Sequence, residues 1–502
     1  MPSSAELNRK LDAAETLLAQ GWPERALVVT TPLADSRVSV NALGLHAMVL
    51  RALGRGEEAL DWDRKAVACF PQSAVAWHNL AATLGDLGSC AESKAGVETA
   101  LARGSNAPQT WLVYARALSA LGDFEASRDA YGEVLSRNPR DAATASELAE
   151  MTWMAWGRLD EALGILDAAE RRGAPGPLLA LRRAGLLRAN GDEEGALQAL
   201  SSAVRAAPHD PSLQMAAADA LLKAGRPEQA LPVVRDLVAR YGSNAAALTQ
   251  LAFVELALGL NADALATARR GLASEPASQG LLCCAATAGR LIGDIAASAL
   301  CDDETMVGSY EIARPPAWPT LAAYLADLAA ALRRTHGYLR HPSDQSVHGG
   351  SQTNHLLTGS PDPALQAFFK AIEGPLREHM TSLGHGHDPL RRRNTGECRI
   401  QGAWSVLLGR GGYHRDHFHS DGWLSSAFYV ETPDVALNRD THEGWLRLGQ
   451  PPFATQPALQ PQRYVRPLPG KLVLFPSYMW HGTEPFTTDE RRLTMAFDVL
   501  PV

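Results

Sequence analysis

The sequence lacks several features that mark particular classes of protein. No two cysteines have the CxxC spacing, and only Cys283 and Cys284 are close in sequence. This disfavours a disulfide framework or zinc cluster and indicates free thiols in a reducing compartment. No run of about 18 apolar residues occurs, so no membrane span is expected. Because the N-terminus also lacks the basic start and apolar core of a secretory signal, we expect a cytoplasmic protein.

An excess of positive charge is missing too. Lys and Arg total 47 against 55 for Asp and Glu, a net charge of −8, which disfavours nucleic acid and anionic membranes as partners. Apolar residues make up 46% of the chain and charged residues 20%, a composition that supports folded cores. Since 502 residues are about three times a typical domain of roughly 150, more than one folding unit is expected.

Glycine recurs along the first three hundred residues at intervals of 33 to 35 positions. A small residue, Ala or Ser, follows each of these glycines by five positions, and proline follows four of them by seventeen. This period predicts a repeated helical hairpin, with glycine in the turn, a small residue where the helices cross, and proline closing the unit. The glycines are Gly21, Gly54, Gly88, Gly122, Gly157, Gly191, Gly225, Gly259 and Gly293, and the prolines are Pro71, Pro139, Pro208 and Pro276.

The repeated pattern resembles the tetratricopeptide repeat, as in LGRGEEAL (53–60), LGDFEASRDAY (121–131) and AGRPEQAL (224–231). The resemblance implies an N-terminal all-α solenoid of about nine helical hairpins over residues 1–301. Such arrays commonly hold an extended peptide or a helix. We therefore expect this domain to bind a peptide or protein partner, with stabilisation or dimerisation as the alternative role.

The repeat pattern stops near residue 301, and the composition of the chain then changes. Residues 302–320 carry three prolines and no helical period, which predicts a linker. Helical segments at 320–336 and 362–380 follow, and then strand-like runs at 402–410, 412–419, 423–431, 471–481 and 492–500. Twelve of the fifteen histidines lie in residues 336–502, which directs attention to a metal site in a domain over 321–502.

Three histidines of this region are candidate metal ligands. His417 and His419 are two positions apart in a strand-like run, so their side chains face the same side. His481 ends another apolar run and is expected to meet them. Three ligands that leave coordination positions open suit a non-haem iron with a co-substrate and oxygen.

The C-terminal domain resembles the double-stranded β-helix oxygenases that use iron(II) and 2-oxoglutarate, among them the prolyl and aspartyl hydroxylases. The resemblance lies in QSVHGGSQTNHLL (345–357), AWSVLLGRGGYHRDHFHSDGWLSSAFYV (403–430) and PGKLVLFPSYMWHGTEPFTTDERRLTMAFDV (469–499). It implies a jelly roll with flanking helices over residues 321–502. It also implies iron(II), 2-oxoglutarate and O2 as cofactor and co-substrates.

The sequence departs from the family at the first pair of iron ligands, which is usually His-x-Asp or His-x-Glu. Aligning the glycine turn before the strand puts the two ligands on His417 and His419. This implies either an iron site of histidines alone or a site whose carboxylate comes from elsewhere, with Asp421 next in line. Two pairs that include a carboxylate stay open as alternatives, His414 with Asp416 and His419 with Asp421.

In the family, an arginine about ten residues after the distal histidine pairs with the far carboxylate of 2-oxoglutarate. Arg491 and Arg492 both have this spacing, and Arg492-Leu493-Thr494 fits the family's Arg-x-Ser pattern better. A bidentate guanidinium suits a carboxylate in a partly buried site. The expected co-substrate contacts are Arg492, Thr494, Ser426 and Tyr429, and the candidate substrate contacts, in a polar loop, are Gln352, Thr353 and Asn354.

Together these expectations describe a 2-oxoglutarate/Fe(II)-dependent dioxygenase that hydroxylates a peptide or protein side chain recruited by the repeats. One alternative keeps the oxygenase and gives it a small-molecule substrate, with the repeats used for assembly. The other is a non-catalytic repeat adaptor with a degenerate oxygenase fold.

Overall fold

The computed structural model describes residues 4–36, 39–242, 244–353 and 357–502. The chain divides into two compact units, Met1–Thr144 with His355–Pro361, and Ala145–Asn354 with Asp362–Val502. Among the described residues, no helix is both long and apolar enough to cross a membrane.

Helices fill the first three hundred residues and follow one another as hairpins. Their bounds are α1 (Ser4–Ala19), α2 (Pro23–Asp35), α3 (Val40–Ala52), α4 (Gly56–Cys69), α5 (Ala74–Asp86), α6 (Cys90–Ala102), α7 (Pro108–Ala120), α8 (Phe124–Arg137), α9 (Ala142–Trp156), α10 (Leu159–Arg171), α11 (Gly176–Ala189), α12 (Glu193–Ala206), α13 (Pro211–Lys223), α14 (Pro227–Tyr241), α15 (Ala245–Ala257), α16 (Asn261–Ser274), α17 (Gln279–Ile292) and α18 (Ile295–Ser298). Each periodic glycine lies between the two helices of one hairpin.

The periodic residues act as their spacing predicts. All nine glycines have positive φ, between 66° and 87°, a conformation that favours glycine. The small residue five positions later is buried in the first eight hairpins, where the helices approach closely. Where that residue is serine, its hydroxyl bonds the neighbouring helix: Ser93 Oγ donates to Ala81 O (2.7 Å) and Ser127 Oγ to Ala115 O (2.8 Å).

The ninth hairpin is shorter than the period predicts. Its second helix, α18, has four residues and gives way to a 3₁₀ turn at Ala299–Cys301. Ala297 is buried there, whereas Ser298, the residue at the expected position, is only partly buried. The structure therefore contains eight complete hairpins and a truncated ninth in its described part.

The segment 302–320, predicted to be a linker, contains regular structure in its first half. Helix α19 (Asp303–Met306) is followed by strand β1 (Gly308–Glu311). Strand β1 pairs with β7 (Lys471–Pro476), Gly308 opposite Leu474. These residues belong to the C-terminal sheet because their backbone hydrogen bonds are satisfied there, which the proline-rich sequence did not reveal.

The remaining elements form an antiparallel sheet with helices beside it. The helices are α20 (Leu321–Thr335), α21 (Pro363–Ala371) and α22 (Glu373–Leu383), and the further strands are β2 (Val347–Gln352), β3 (Cys398–His417), β4 (Leu424–Glu431), β5 (Leu446–Leu448), β6 (Arg463–Val465), β8 (His481–Thr483) and β9 (Arg492–Pro501). The strand order is β1-β7-β4-β9-β3-β8-β5-β6, and β2 pairs with β3.

Strand β3 joins the two layers of this sheet. Its first half pairs with β9 and its last residues pair with β8, while β2 follows it through the bend. Glycines permit the bend: Gly411 has φ 71°, and a Cβ on Gly349 would lie 2.9 Å from Gly412 Cα. The runs 402–410 and 412–419 were thus expected as two strands but form one bent strand that carries His417.

The inner faces of the two layers pack on each other, as in a jelly roll. One hydrophobic cluster contains Val473 and Phe475 from one layer and Leu446 and Leu448 from the other. The predicted combination of an all-α repeat domain and a double-stranded β-helix domain is confirmed. Ala286 of α17 belongs to the same cluster, so the last repeat contributes to the core of the β domain.

Helices of the later repeats also bind the β domain through polar contacts. On α9, Trp153 Nε1 donates to His341 O (2.9 Å), and Glu150 accepts hydrogen bonds from the backbone N–H (2.7 Å) and the hydroxyl (2.6 Å) of Ser343. On α17, Thr287 Oγ1 accepts from Trp480 Nε1 (3.0 Å). This is why the second compact unit includes repeats as well as the sheet, although the repeat pattern itself ends near residue 301.

Aromatic side chains reinforce the same association at α15. The ring of Phe253 lies 6.0 Å from that of Phe418, 5.7 Å from Phe453 and 5.4 Å from Trp480. Phe418 stands between two candidate ligands and Trp480 precedes the third, so packing on α15 fixes the backbone that carries all three histidines.

Candidate active site

Three histidines converge at the end of β3 and the start of β8. The ring centres of His417 and His481 are 4.1 Å apart, those of His419 and His481 4.8 Å, and those of His417 and His419 5.1 Å. Each ring offers one nitrogen to a common centre, and these nitrogens lie within 4.8 Å of one another. Register explains the meeting, because His417 is directly opposite His481 in the β3–β8 pair.

The outer nitrogen of each ring is held by an oxygen atom. His417 Nδ1 lies 2.8 Å from Arg415 O, and His481 Nδ1 lies 2.9 Å from Met479 O. Carbonyl oxygen only accepts hydrogen bonds, so both Nδ1 atoms carry the proton and both Nε2 atoms have a free lone pair. His419 Nδ1 is 2.8 Å from the carboxylate oxygen Oδ1 of Asp498, which favours the same tautomer.

These tautomers direct unprotonated nitrogens towards one another. His417 Nε2 and His419 Nε2 are 3.2 Å apart. Burial, followed by the nearby His419, lowers the pKa of His417 to about 3, and burial also lowers the pKa of His481 well below its ordinary value. Neutral imidazoles with converging lone pairs form a donor set that fits a divalent transition metal. The three rings therefore could hold a metal ion.

Asp498 extends this arrangement beyond the rings. Its side chain is buried, and Oδ1 lies 2.8 Å from His419 Nδ1 and 2.7 Å from Ser425 Oγ. Ser477 Oγ is a further 2.9 Å from Ser425 Oγ. The only carboxylate in this network touches the outer edge of a candidate ligand, the position from which carboxylates orient metal-bound histidine.

Both alternative carboxylates lie outside the histidine cluster. Asp416 is buried in a bidentate ion pair, its oxygens 2.8 and 2.6 Å from Arg447 Nε and Nη2, and Arg447 also binds Glu484 (2.9 Å). Alternation along β3 turns Asp416 away from His417. Asp421 is exposed, and the metal-competent cluster among the described residues contains neither acid.

His414, the partner of Asp416 in one alternative pair, packs beside the cluster rather than in it. Its ring is stacked on that of His417 with centres 5.9 Å apart. Ser346 Oγ lies 3.1 Å from His414 Nδ1 and 3.2 Å from His417 Nε2. Burial lowers the pKa of His414 well below its ordinary value, so this ring is a neutral neighbour of the site.

Arg492 is buried close to the histidines, whereas Arg491 is exposed. Arg492 Nε donates to Gly444 O (3.1 Å), and the guanidinium carbon is 5.3 Å from the centre of the Tyr429 ring. Burial raises the pKa of Tyr429 to about 12. Among the described residues Arg492 forms no ion pair with Asp or Glu, so a buried cation is left without a counter-ion, which is costly unless an anion binds.

A small cavity of about 50 Å³ connects Arg492 with the histidines. Thr494 and Ser426 also line it. The Ser426 hydroxyl is already engaged by backbone, since it donates to Phe497 O (2.9 Å) and accepts from Phe497 N (2.8 Å). The cavity thus contains one buried guanidinium, and the Thr494 hydroxyl donates a long hydrogen bond to Val406 O (3.4 Å).

A second cavity, of about 750 Å³, opens on the other side of His417 and His419. Repeat helices α11 and α13 supply one wall, through Leu181, Gly185, Arg188, Asp219 and Lys223, and the β domain supplies the rest. The two cavities share Trp404, His414, His417 and His419. The histidine cluster therefore lies where a small enclosed space meets a large one.

Of the predicted substrate contacts, one lines the large cavity, one does not, and one is not described. Gln352 lines the large cavity. Thr353 is buried and does not line it, because its hydroxyl accepts from Ser405 N (3.0 Å) and its own N–H donates to Ser405 O (3.0 Å). Gln352 is the last residue of β2 and Thr353 follows it directly, so both residues of the expected loop are hydrogen-bonded along β3. Asn354 lies outside the described residues.

Sequence reasoning missed Asp498 and the repeat residues of the large cavity. A signal for Asp498 existed, because Arg492, Thr494 and Asp498 have even spacing on β9 and so share a face. No comparable signal existed for Arg188 or Lys223, which are ordinary charged helix residues until the β domain is docked beside them.

The comparisons with known proteins agree with this division of the chain. Residues 402–498 match the family model described as "Putative 2OG-Fe(II) oxygenase". Residues 108–151, 154–211, 187–242 and 215–279 match tetratricopeptide repeat models. Matches to tetratricopeptide repeat models and to this oxygenase model therefore occur in one chain. Both predicted resemblances are thereby confirmed.

Solved structures that are similar to part of this chain include three repeat-type or assembly proteins. Yeast Tom70 is 15% identical, with 61% of this chain and 66% of that chain covered and a TM-score of 0.44. PilW, a type IV pilus biogenesis factor, is 20% identical (41% and 96% covered, TM-score 0.36). A tetratricopeptide repeat protein from Parabacteroides merdae is 14% identical (49% and 98% covered, TM-score 0.36). A search of curated proteins finds no match.

Proposed function

We propose that this protein is an iron(II)- and 2-oxoglutarate-dependent oxygenase that hydroxylates a side chain of a peptide or protein. The observation that carries the proposal is the meeting of two cavities at three converging imidazoles. A site for a co-substrate on one side of a metal and for a substrate on the other is what this chemistry needs.

In this proposal His417, His419 and His481 hold the iron, and their carbonyl and carboxylate partners keep each Nε2 directed at it. Bound iron supplies the oxidising chemistry, in which O2 converts 2-oxoglutarate to succinate and carbon dioxide and hydroxylates the substrate. The absence of a carboxylate ligand leaves the metal with a higher positive charge than a His-x-Asp site provides. Asp498 does not contact the metal but is hydrogen-bonded to His419. Its negative charge offsets part of this extra positive charge.

Arg492 binds and orients 2-oxoglutarate. Its guanidinium is buried, carries no internal counter-ion among the described residues, and faces the small cavity shared with the histidines. A bidentate pair with the far carboxylate supplies the missing anion, and Thr494 adds a hydroxyl. Tyr429 packs under the guanidinium and keeps water from it. Ser426 lines the cavity but does not bind the co-substrate by a hydrogen bond, since its hydroxyl is already bonded to the backbone of Phe497.

The substrate occupies the large cavity, with Gln352 among its contacts. Repeat helices form one wall of this cavity, and tetratricopeptide repeats typically mediate protein interactions, which supports a peptide or protein substrate over a small molecule. We also propose a cytoplasmic location, which the six free cysteines support.

Succinate formation tests the proposal. Purified protein with Fe(II), ascorbate and 2-oxoglutarate should form succinate only when O2 is present, and His481→Ala should form none. Asp421→Ala is the matched control, because it removes an alternative ligand that lies outside the cluster, and it should keep iron-dependent turnover. Equal succinate formation by wild type and His481→Ala would contradict the assignment of His481 as an iron ligand. If iron binds but no form of the protein makes succinate, the non-catalytic adaptor is favoured instead.

A further inference from the structure

Strand β3 changes the face that it presents to the small cavity just before the candidate ligands. Trp404, Val406 and His414 line this cavity from even-numbered positions. His417 and His419 line it from odd-numbered positions. In a regular strand, residues an odd number of positions apart point to opposite faces. A change of phase between His414 and His417 therefore brings both candidate ligands of this segment to the cavity.

A β-bulge causes the change of phase. In the β3–β8 pair the register shifts between His414 and His417, because three positions along β3 match two along β8. Arg415 and Asp416 therefore lie together opposite Gly482. The rings of His414 and His417 are consequently stacked on one side of the strand, with centres 5.9 Å apart. Bulges beside active sites commonly re-aim a side chain in this way.

A buried ion pair spans this bulge. Arg447 of β5 binds both carboxylate oxygens of Asp416, from Nε at 2.8 Å and from Nη2 at 2.6 Å, and the two side chains are 18% and 6% exposed. Arg447 is directly opposite Gly482 in the β5–β8 pair, so it reaches Asp416 across a residue that has no side chain. A Cβ on Gly482 would lie 2.5 Å from Asp416 Oδ1 and 3.0 Å from His414 O. Both the ion pair and the bulge therefore depend on glycine at this position.

Arg447 also binds an acid that lies outside the bulge. Its Nη1 is 2.9 Å from Glu484 Oε1, and the Tyr464 hydroxyl donates to the same oxygen (3.3 Å). Glu484 follows β8, and its side chain is 25% exposed, against 6% for Asp416. Of the two acids bound by this arginine, only Asp416 belongs to the bulge, so the two ion pairs can be told apart by experiment.

We propose that Arg447 is a positioning residue of the metal centre. Its pair with Asp416 holds the bulge that turns His417 and His419 towards the cavity. Without the guanidinium, Asp416 is a buried carboxylate with no counter-charge, a costly state that is relieved when the side chain turns out to water. Loss of the bulge moves the register by one residue and sends the following side chains to the other face. The inference rests on the proposed function in taking the histidines as metal ligands.

Anaerobic titration of the full-length protein with Co(II), followed by visible absorption, tests the inference. Arg447→Gln should weaken Co(II) binding about tenfold or more and change the absorption spectrum, because an imidazole leaves the metal. Arg447→Lys keeps the charge without the planar fork and should lose less. In the metal-free protein, hydrogen exchange measured by mass spectrometry should rise for Arg447→Gln in peptides that contain residues 414–417 and 481–483.

A matched control separates positioning from general stability. Glu484→Ala removes the other carboxylate that Arg447 binds and leaves the bulge pair in place, so it should keep the wild-type Co(II) affinity and spectrum. Asp416→Ala should reproduce the effect of Arg447→Gln. Gly482→Ala should do so too without changing any charge, because its Cβ would overlap Asp416 Oδ1. These two variants decide the matter if Arg447→Gln does not fold.

Co(II) binding needs neither O2 nor 2-oxoglutarate, so the two proposals can fail separately. Co(II) binding that depends on Arg447, in a protein that forms no succinate, would leave this inference standing and remove the proposed oxygenase. Equal Co(II) affinity and spectrum for Arg447→Gln and wild type, an equal loss in Glu484→Ala, or no Co(II) binding by wild type would overturn the inference. Tighter binding by Arg447→Gln would overturn it too, because the freed Asp416 would then itself be a ligand.

Discussion

At the scale of single residues, the unusual feature is a buried carboxylate that touches a candidate ligand instead of being one. The contact of Asp498 with His419 Nδ1, at 2.8 Å, fixes the tautomer that leaves Nε2 free. An amide at this position can present its N–H₂ to the ring and favour the wrong tautomer. Asp498 is therefore a positioning residue in this account.

Replacing Asp498 by Asn is expected to weaken metal binding about 10- to 100-fold, the usual effect of removing such a partner. Anaerobic titration with Co(II), followed by visible absorption, measures the affinity and the ligand field together. Asp489→Asn is the matched control, since Asp489 is an exposed acid before β9 whose side chain is 85% accessible. Equal Co(II) affinity and an unchanged spectrum for Asp498→Asn would remove the positioning role.

Arg492 gives a second prediction at this scale. Arg492→Lys keeps the charge but loses the planar fork that matches a carboxylate, so the KM for 2-oxoglutarate should rise about tenfold or more while Co(II) affinity stays unchanged. Arg491→Lys is a control one residue away, on an exposed side chain. A wild-type KM for Arg492→Lys would show that another group holds the co-substrate.

At the scale of elements, periodicity in the sequence predicted most of the regular structure. Glycine spacing located the turn of every hairpin because positive φ leaves a strong residue preference. Alternation in β3 located His417 and His419 on one face. It did not show that 471–481 contains two strands, β7 and β8, because the turn between them is apolar and buried. It also missed the strands β1, β2, β5 and β6, which have only three to six residues and so show little alternation.

A buried acid on α4 gives a prediction about the repeats. Asp63 accepts a hydrogen bond from Thr83 Oγ1 (2.6 Å), and burial raises its pKa to about 6. The unfolded value is about 3.9, so the folded state binds this proton more tightly. Its contribution to stability is therefore complete below about pH 4 and is lost as pH rises through 6, a change on the order of 3 kcal/mol.

Asp63→Asn removes this titration while keeping an acceptor for Thr83. The variant should be more thermostable than wild type at pH 7.5 and nearly equal to it at pH 4, as measured by thermal unfolding at both pH values. Asp61→Asn, on the exposed side of the same helix, should show no such pH-dependent difference. A constant difference between Asp63→Asn and wild type across this range would contradict the assignment.

At the scale of the whole molecule, the family resemblances predicted the order of the two domains along the chain. They did not predict that the later repeats pack against the β domain. The repeat period ends at residue 301, yet α9, α15 and α17 pack against the β domain. No sequence pattern could reveal this, because Phe253, Thr287 and Trp153 are also plausible contacts between repeats. The large cavity depends on the same association.

The β domain alone is accordingly expected to fold poorly. A fragment of residues 302–502 loses Ala286 from its core and the α15 aromatic contact behind the histidines. It should bind a hydrophobic dye, unfold without a cooperative transition and bind Co(II) weakly, whereas a chain of residues 145–502 should unfold cooperatively. Cooperative unfolding and full Co(II) binding by the shorter fragment would show that the repeats are dispensable to the site.

The central claim, that three histidines hold a metal beside a 2-oxoglutarate pocket, is tested most directly by anaerobic calorimetry with Fe(II) and then with 2-oxoglutarate. Wild type should bind one equivalent of Fe(II), and 2-oxoglutarate should bind tightly only afterwards. His417→Ala, His419→Ala and His481→Ala should each lose both events. Fe(II) and 2-oxoglutarate binding by His417→Ala equal to that of wild type would contradict the account.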